Sequence, residues 1–137
     1  MLRSVPFLTP QPFSIMSASA RNIIAWVLQA LLALAFIASG ARKFMDLPGT
    51  VGMFGGLGLP GALAYVVAAA EVLGGIGLLV PRFVRPAALG LIIIMIGAVV
   101  LHATKIPGGL AGGVPAIVLL LLLLVVLWLR RPATTTV

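Results

Sequence analysis

Apolar residues run along this chain in long unbroken stretches, without the one-sided periodicity of a helix that lies on the surface of a water-soluble core. Four such stretches stand out: Ile23 to Gly40, Ala62 to Val80, Pro86 to Ala103 and Leu110 to Leu129, each bounded by charge, glycine or proline. Each approaches the roughly 20 residues that a helix needs to cross a hydrocarbon core, so the pattern predicts an all-α integral membrane four-helix bundle. Pro60, Pro86 and Pro115 stand at the starts of the second, third and fourth stretches, where a missing N–H costs a helix nothing. Only Pro81 to Arg85 separate the second from the third, which makes those two helices antiparallel neighbours. The run Ile117 to Leu129 offers no polar face and reads as lipid-facing scaffold.

An even number of spans places both termini on one side. Arg3, Arg21, Arg82, Arg85, Arg130 and Arg131 gather there, against Arg42, Lys43 and Lys105 opposite, so the positive-inside bias predicts cytoplasmic termini and an outward loop from Ala41 to Gly61. Trp26 and Trp128 then lie near the inner interface, as aromatic belts do. Residues 22–131 form the expected transmembrane domain, residues 1–21 a disordered leading segment rich in proline, and residues 132–137 a short tail. The small-residue stretch Ala38-Ser39-Gly40-Ala41 after an apolar run also has the form of a signal-peptide cleavage site, but Arg42 and Lys43 directly behind it would hinder export.

Composition sharpens this reading. Of 137 residues 62% are hydrophobic and 8% charged, where a soluble domain carries about a quarter charged. The net charge of +7 comes from basic residues placed singly or in pairs at the edges of apolar runs, so it marks topology, and no nucleic-acid partner is expected. Without cysteine there is no disulfide, thiol relay, iron–sulfur cluster or cysteine-bound zinc. One histidine and two carboxylates leave no metal site and no catalytic set to name within the chain.

Polar side chains inside the spans carry the candidate chemistry, because an ionisable group at a helix centre is costly. Glu71 lies nine residues past Ala62 and Gln29 eleven before Gly40, which at 1.5 Å per residue puts them at about 14 and 16 Å depth, on one level. Gln29, Ala33, Phe36, Gly40 and Lys43 form one stripe on the first span, and Ala64, Ala68, Glu71 and Gly75 another on the second. Arg42, Lys43 and His102 stand at the outer rim above them. Glu71, Gln29, Lys43, His102 and Arg42 are therefore the candidate ligand-binding residues. The structural alternative is that Glu71 merely fixes helix register through a hydrogen bond to Gln29 or to a backbone carbonyl, and that His102 is a wet interfacial residue. Lys43 stands too far above Glu71 to pair with it by this count, so Glu71 is expected to be a neutral acid, and Asp46 is expected to pair with Lys43 or Arg42.

Gly40, Lys43 and Phe44, then Phe54, Leu57, Gly58, Leu59 and Pro60, then Glu71-Val72-Leu73-Gly74-Gly75 with Leu78-Leu79, and finally His102 carry a family resemblance. In order and spacing they resemble the DoxX family of small bacterial membrane proteins over about residues 22–129, with Pro81 a departure at a position where glycine is common. The resemblance implies a four-helix bundle in the bacterial inner membrane and an association with redox chemistry, as in thiosulfate:quinone oxidoreduction, thiol homeostasis and amine-dehydrogenase maturation. Members that work through thiols are no guide for a chain without cysteine, and no flavin or dinucleotide fingerprint occurs. The leading expectation is a redox-associated membrane subunit, rather than a stand-alone enzyme, that holds a quinone or another small lipophile near the bilayer midplane. A proton-coupled small-solute transporter using Glu71 and a non-catalytic assembly scaffold are the alternatives. The bilayer is the expected partner, and a redox partner protein, a small lipophilic ligand and a homo-oligomer stay open.

Overall fold

The computed structural model describes residues 16–132, all of it helix, turn or short connection. The expected disorder of residues 1–15 and most of the expected tail lie outside the described residues.

Ser17 opens helix α1 (Ala18–Met45) by accepting a hydrogen bond from the Ala20 amide at 3.1 Å, the arrangement that a serine N-cap supplies. The helix thus begins inside the segment expected to be disordered, at Ala18 rather than after Arg21. It also runs past Gly40, where the apolar pattern placed its end. Glycine stops a helix by taking a positive φ, and Gly40 does not do so; it packs against α3 instead. The stop comes at Asp46, whose side chain accepts from the Gly49 amide at 3.2 Å and caps α2 (Leu47–Gly56), with Pro48 in its first turn. The expected outer loop is therefore mostly helix, and Asp46 serves as a cap rather than as the partner of Lys43 or Arg42.

Gly58, at φ 79°, turns the chain into α3 (Gly61–Leu78). A 3-10 turn at Pro81–Phe83 leads to α4 (Val84–Thr104), and a single-turn α5 (Gly109–Gly112) precedes α6 (Val114–Leu129). Ala18–Met45, Gly61–Leu78 and the 24 residues Pro81–Thr104 are long and apolar enough to cross a membrane. The apolar α6 has 16 residues, about 24 Å of helix against a core of about 30 Å, because Gly112 and Gly113 break the fourth apolar stretch.

Helix α1 packs on α3 and α6, α3 on α4, α4 on α6, and α2 covers part of α3. Leu32, Phe36, Leu78, Val84, Leu91, Met95, Leu123 and Val126 meet in the centre. The outward faces carry Ile23, Leu34, Val66, Leu73 and Ile93, all 60–70% exposed, a surface that lipid tolerates and water does not. Although α6 shows no polar face, it buries one stripe, Leu123, Val126 and Leu129, against its neighbours.

The α1–α3 seam is the closest approach. A Cβ on Gly40 would lie 2.6 Å from the Ala68 carbonyl oxygen and from Val72, and one on Gly75 would lie 2.7 Å from Ile37 and 3.0 Å from the Ala33 oxygen. Small residues allow such backbone contact between helices in lipid. Gly40→Val is expected to lower stability by about 1–3 kcal/mol through overpacking, whereas Gly97→Ala, with nothing within 4 Å of the added carbon, is expected to leave it equal or higher. Thermal unfolding in detergent micelles measures both, and equal melting points for the two variants would contradict the seam.

Candidate functional site

Glu71 sits on the buried stripe of α3 with Ala64, Ala68, Gly75 and Leu78. Across the seam, Lys43 Nζ lies 3.0 Å from Glu71 Oε2 and 3.1 Å from Oε1, and donates to Ser39 Oγ at 2.9 Å. All three ammonium donors are thereby engaged. The Glu71 side chain is 4% exposed and that of Lys43 21%, so the carboxylate is enclosed and the lysine is the way in. The expectation that Lys43 stands out of reach of Glu71 is thus corrected. The depth count had taken Gly40 as the edge of α1, but Gly40 lies against Ala68 and Val72, which puts Glu71 beside Ser39. Lys43 is one turn away, about 5.4 Å, and a helical side chain leans toward the N-terminus and so back over Ser39.

Gln29 does not join this pair. Its Nε2 donates to the Leu78 carbonyl at 2.7 Å, and its Oε1 accepts from Arg130 Nε at 2.7 Å. The residue is fully buried, and its place is ten residues from Ser39, about 15 Å along α1. The carbonyl it satisfies is one of those that the end of α3 leaves without an intrahelical donor. Arg130 also donates to Asn22 Oδ1 at 2.9 Å and stacks over Trp26. Gln29 is therefore part of a polar knot at the far end of the molecule.

His102 turns away as well: its Nδ1 is 2.8 Å from the Ala98 carbonyl, and its ring lies against Gly112 and Gly113. The Arg42 side chain is exposed and makes no hydrogen bond, ion pair or ring contact among the described residues. Of the five candidates the structure joins Lys43 to Glu71 and places Gln29, His102 and Arg42 elsewhere. Two participants escaped the sequence reading. Ser39 stands four residues before Lys43, a spacing that could have revealed it; Arg130 reaches Gln29 only through the packing of α6.

Neither Lys43 nor Glu71 lines either of two cavities in the structure. One of about 490 Å³ is an apolar groove between α3 and α4, lined by Leu73, Gly74, Gly77, Phe83, Ala87 and Leu91 among others. The other, about 190 Å³, is lined by Asn22, Trp26, Gln29, Pro81, Val84 and Arg130. Among the described residues no three His, Cys, Asp or Glu side chains gather where they could hold a metal ion.

Apolar helices that expose their hydrophobic faces and enclose an ion pair define a small multi-pass membrane protein. The DoxX family model matches residues 24–104, from α1 to the end of α4, and the chain belongs to the DoxX family. The matched segment contains Ser39, Lys43 and Glu71 and stops short of α6. A protein of Bacillus subtilis (strain 168) named "Putative oxidoreductase CatD" is 32% identical over 81 residues, which are 59% of this chain and 60% of that relative. The chain thus spans about three fifths of the length of the curated relative that it matches. No solved structure matches it.

Removing either partner of a buried pair strands the other charge, at about 3–5 kcal/mol. Lys43→Met and Glu71→Gln are each expected to lower unfolding stability in micelles by a large part of that range. The double variant is expected to lose clearly less than the sum. Additive losses around this cycle would show that the pair contributes no coupling.

Proposed function

We propose that this protein is a redox-associated subunit of the bacterial inner membrane that holds a small carbonyl-bearing lipophile, a quinone by preference, at Lys43 and Glu71. The observation that carries this reading is the ammonium of Lys43, held by both Glu71 oxygens and by Ser39 Oγ, and the open side of that group. A quinone supplies reversible two-electron, two-proton chemistry when bound. Its carbonyl needs a donor, and the hydroxyl of Ser39 is the neutral, weaker acceptor of the three on Lys43, the one that an incoming carbonyl oxygen can replace. Glu71 holds the lysine in place, and the pair can hold or release a proton at the carbonyl. Electron transfer belongs to a partner protein, since this chain has no cysteine and a single histidine. The oxidoreductase name of the relative is in keeping with such a setting.

This reading includes four spans with both termini cytoplasmic. Support comes from the uniformly apolar α6, closed by Arg130 and Arg131, and from the contact of Arg130 with Asn22, which brings the end of α6 to the start of α1. The basic residues flanking the helices are more numerous at that end.

Protein extracted in mild detergent is expected to carry a quinone or related lipophile detectable by mass spectrometry, and Lys43→Met is expected to lose it while remaining helical. Repeated preparations without any lipophile, or equal content in both proteins, would remove the reading. If instead pH-driven solute flux in proteoliposomes depends on Glu71, the protein is a carrier. For topology, single cysteines at Ser19, Gly52 and Pro132, all exposed, are expected to react with a membrane-impermeant thiol reagent in spheroplasts only at Gly52. Labelling at Pro132 would refute the four-span arrangement.

A further inference from the structure

The end of the molecule opposite the Lys43–Glu71 pair carries a different chemistry. Arg21, Arg82, Arg85, Arg130 and Arg131 gather where α1 begins, α3 turns into α4 and α6 ends. Neither acidic side chain is there: Glu71 is beside Ser39 and Asp46 caps α2, at least 17 residues along α1 from Asn22, or about 25 Å. The positive charge at this end is therefore without a carboxylate side chain among the described residues.

Between these arginines lies the cavity of about 190 Å³, with Asn22, Trp26 and Gln29 on one wall, Pro81 and Val84 on another, and Arg130 on a third. Arg130 is the built element. Its Nε is fixed on the fully buried Gln29, one NH1 proton is on Asn22, and its plane lies 5.5 Å from the Trp26 ring centre. Those bonds use two of the five guanidinium protons and leave an oriented fork, the shape that takes two oxygens of a phosphate. Arg85 stands behind it, its NH1 on the carbonyls of Leu127 and Arg130. Arg21, one turn before Ala25 on α1, adds positive charge at this end without lining the cavity.

We infer that this cavity binds the phosphate of an anionic phospholipid headgroup. Two observations favour a lipid over a free anion. Trp26, the residue type that settles at headgroup level, lines the cavity. Below it the exposed side chains of Ile23 and Val27, at 62% and 53%, offer acyl chains a surface to lie on. Basic pockets between membrane helices recognise anionic headgroups in this way. The site rests on side chains separate from the Lys43–Glu71 pair and holds whether or not that pair meets a lipophile.

The test uses the full chain, delipidated in mild detergent and offered phosphatidylglycerol, phosphatidylcholine or inorganic phosphate, with adducts followed by native mass spectrometry. Phosphatidylglycerol is expected to bind in preference to phosphatidylcholine and to resist displacement by millimolar phosphate. Asn22→Asp puts a carboxylate against Arg130 without disturbing Gln29, and is expected to weaken phosphatidylglycerol binding about tenfold with the melting point kept. Arg130→Lys, which keeps the charge and loses the fork, is expected to weaken it as well. Equal binding of the two lipids, or undiminished phosphatidylglycerol binding by both variants, overturns the inference. Displacement by phosphate at equal concentration assigns the cavity to the free anion and overturns the lipid.

Discussion

The register of one seam, α1 against α3, governs the placement of nearly every polar group in the molecule. Gly40 lies in the bend of Ala68 and Val72, and Gly75 in that of Ala33 and Ile37, with no room for a Cβ on either side. Two such contacts on antiparallel helices allow one alignment. That alignment sets Ser39 and Lys43 opposite Glu71, and Gln29 opposite the last carbonyls of α3. A slide of one residue would separate the charges and strand them in an apolar seam, at a cost that lipid makes severe. Close packing and ion pairing thus specify the same register, and each penalises the errors that the other would admit.

Much of the fold was legible in the sequence because lipid makes the dominant signal simple. Apolar length located the three long spans and their antiparallel order, and the scarcity of charge singled out Glu71. What was not legible follows from reading glycine as punctuation. Gly40 has the look of a helix end, and it is a contact residue inside α1; counting depth from it displaced Gln29 by ten residues and put Lys43 out of reach of Glu71. Gly108 and Gly109, by contrast, do take positive φ and end the turn after α4, while Gly112 and Gly113 close α5 and shorten α6 inside the apolar run. Nothing local in the sequence distinguishes these cases, since the difference is whether another helix presses on the Cα.

His102 and Asp46 show the same limit from the polar side. Both were placed at the rim with the basic residues, and both are at that end, yet each spends its hydrogen bonds locally: Asp46 on the first turn of α2 and His102 on the carbonyl one turn before it. Short polar side chains near helix ends have backbone groups within reach that need partners, and that need is met before any convergence on a distant site. Lys43 escapes this because its length carries it past the helix surface to Glu71. The candidate site is in this sense narrower than its sequence outline, a pair with Ser39 rather than a track of five residues.

Helix α6 raises the converse problem. Its sequence is apolar on every side, so hydrophobicity gives it no preferred face, and in lipid it gives no preference for burial either. The stripe Leu123, Val126 and Leu129 is buried by choice of rotation, not by contrast with a polar face. The specific contacts lie at its end, where Arg85 reaches the carbonyls of Leu127 and Arg130, and Arg130 reaches Gln29 and Asn22. These bonds fix both the height and the rotation of a helix that packing alone would leave free to turn. Gln29 therefore has a role that its polarity announced and its depth concealed: buried in α1, it joins the end of α3 to the end of α6, and so ties the segment that carries the ion pair to the helix beyond the family match.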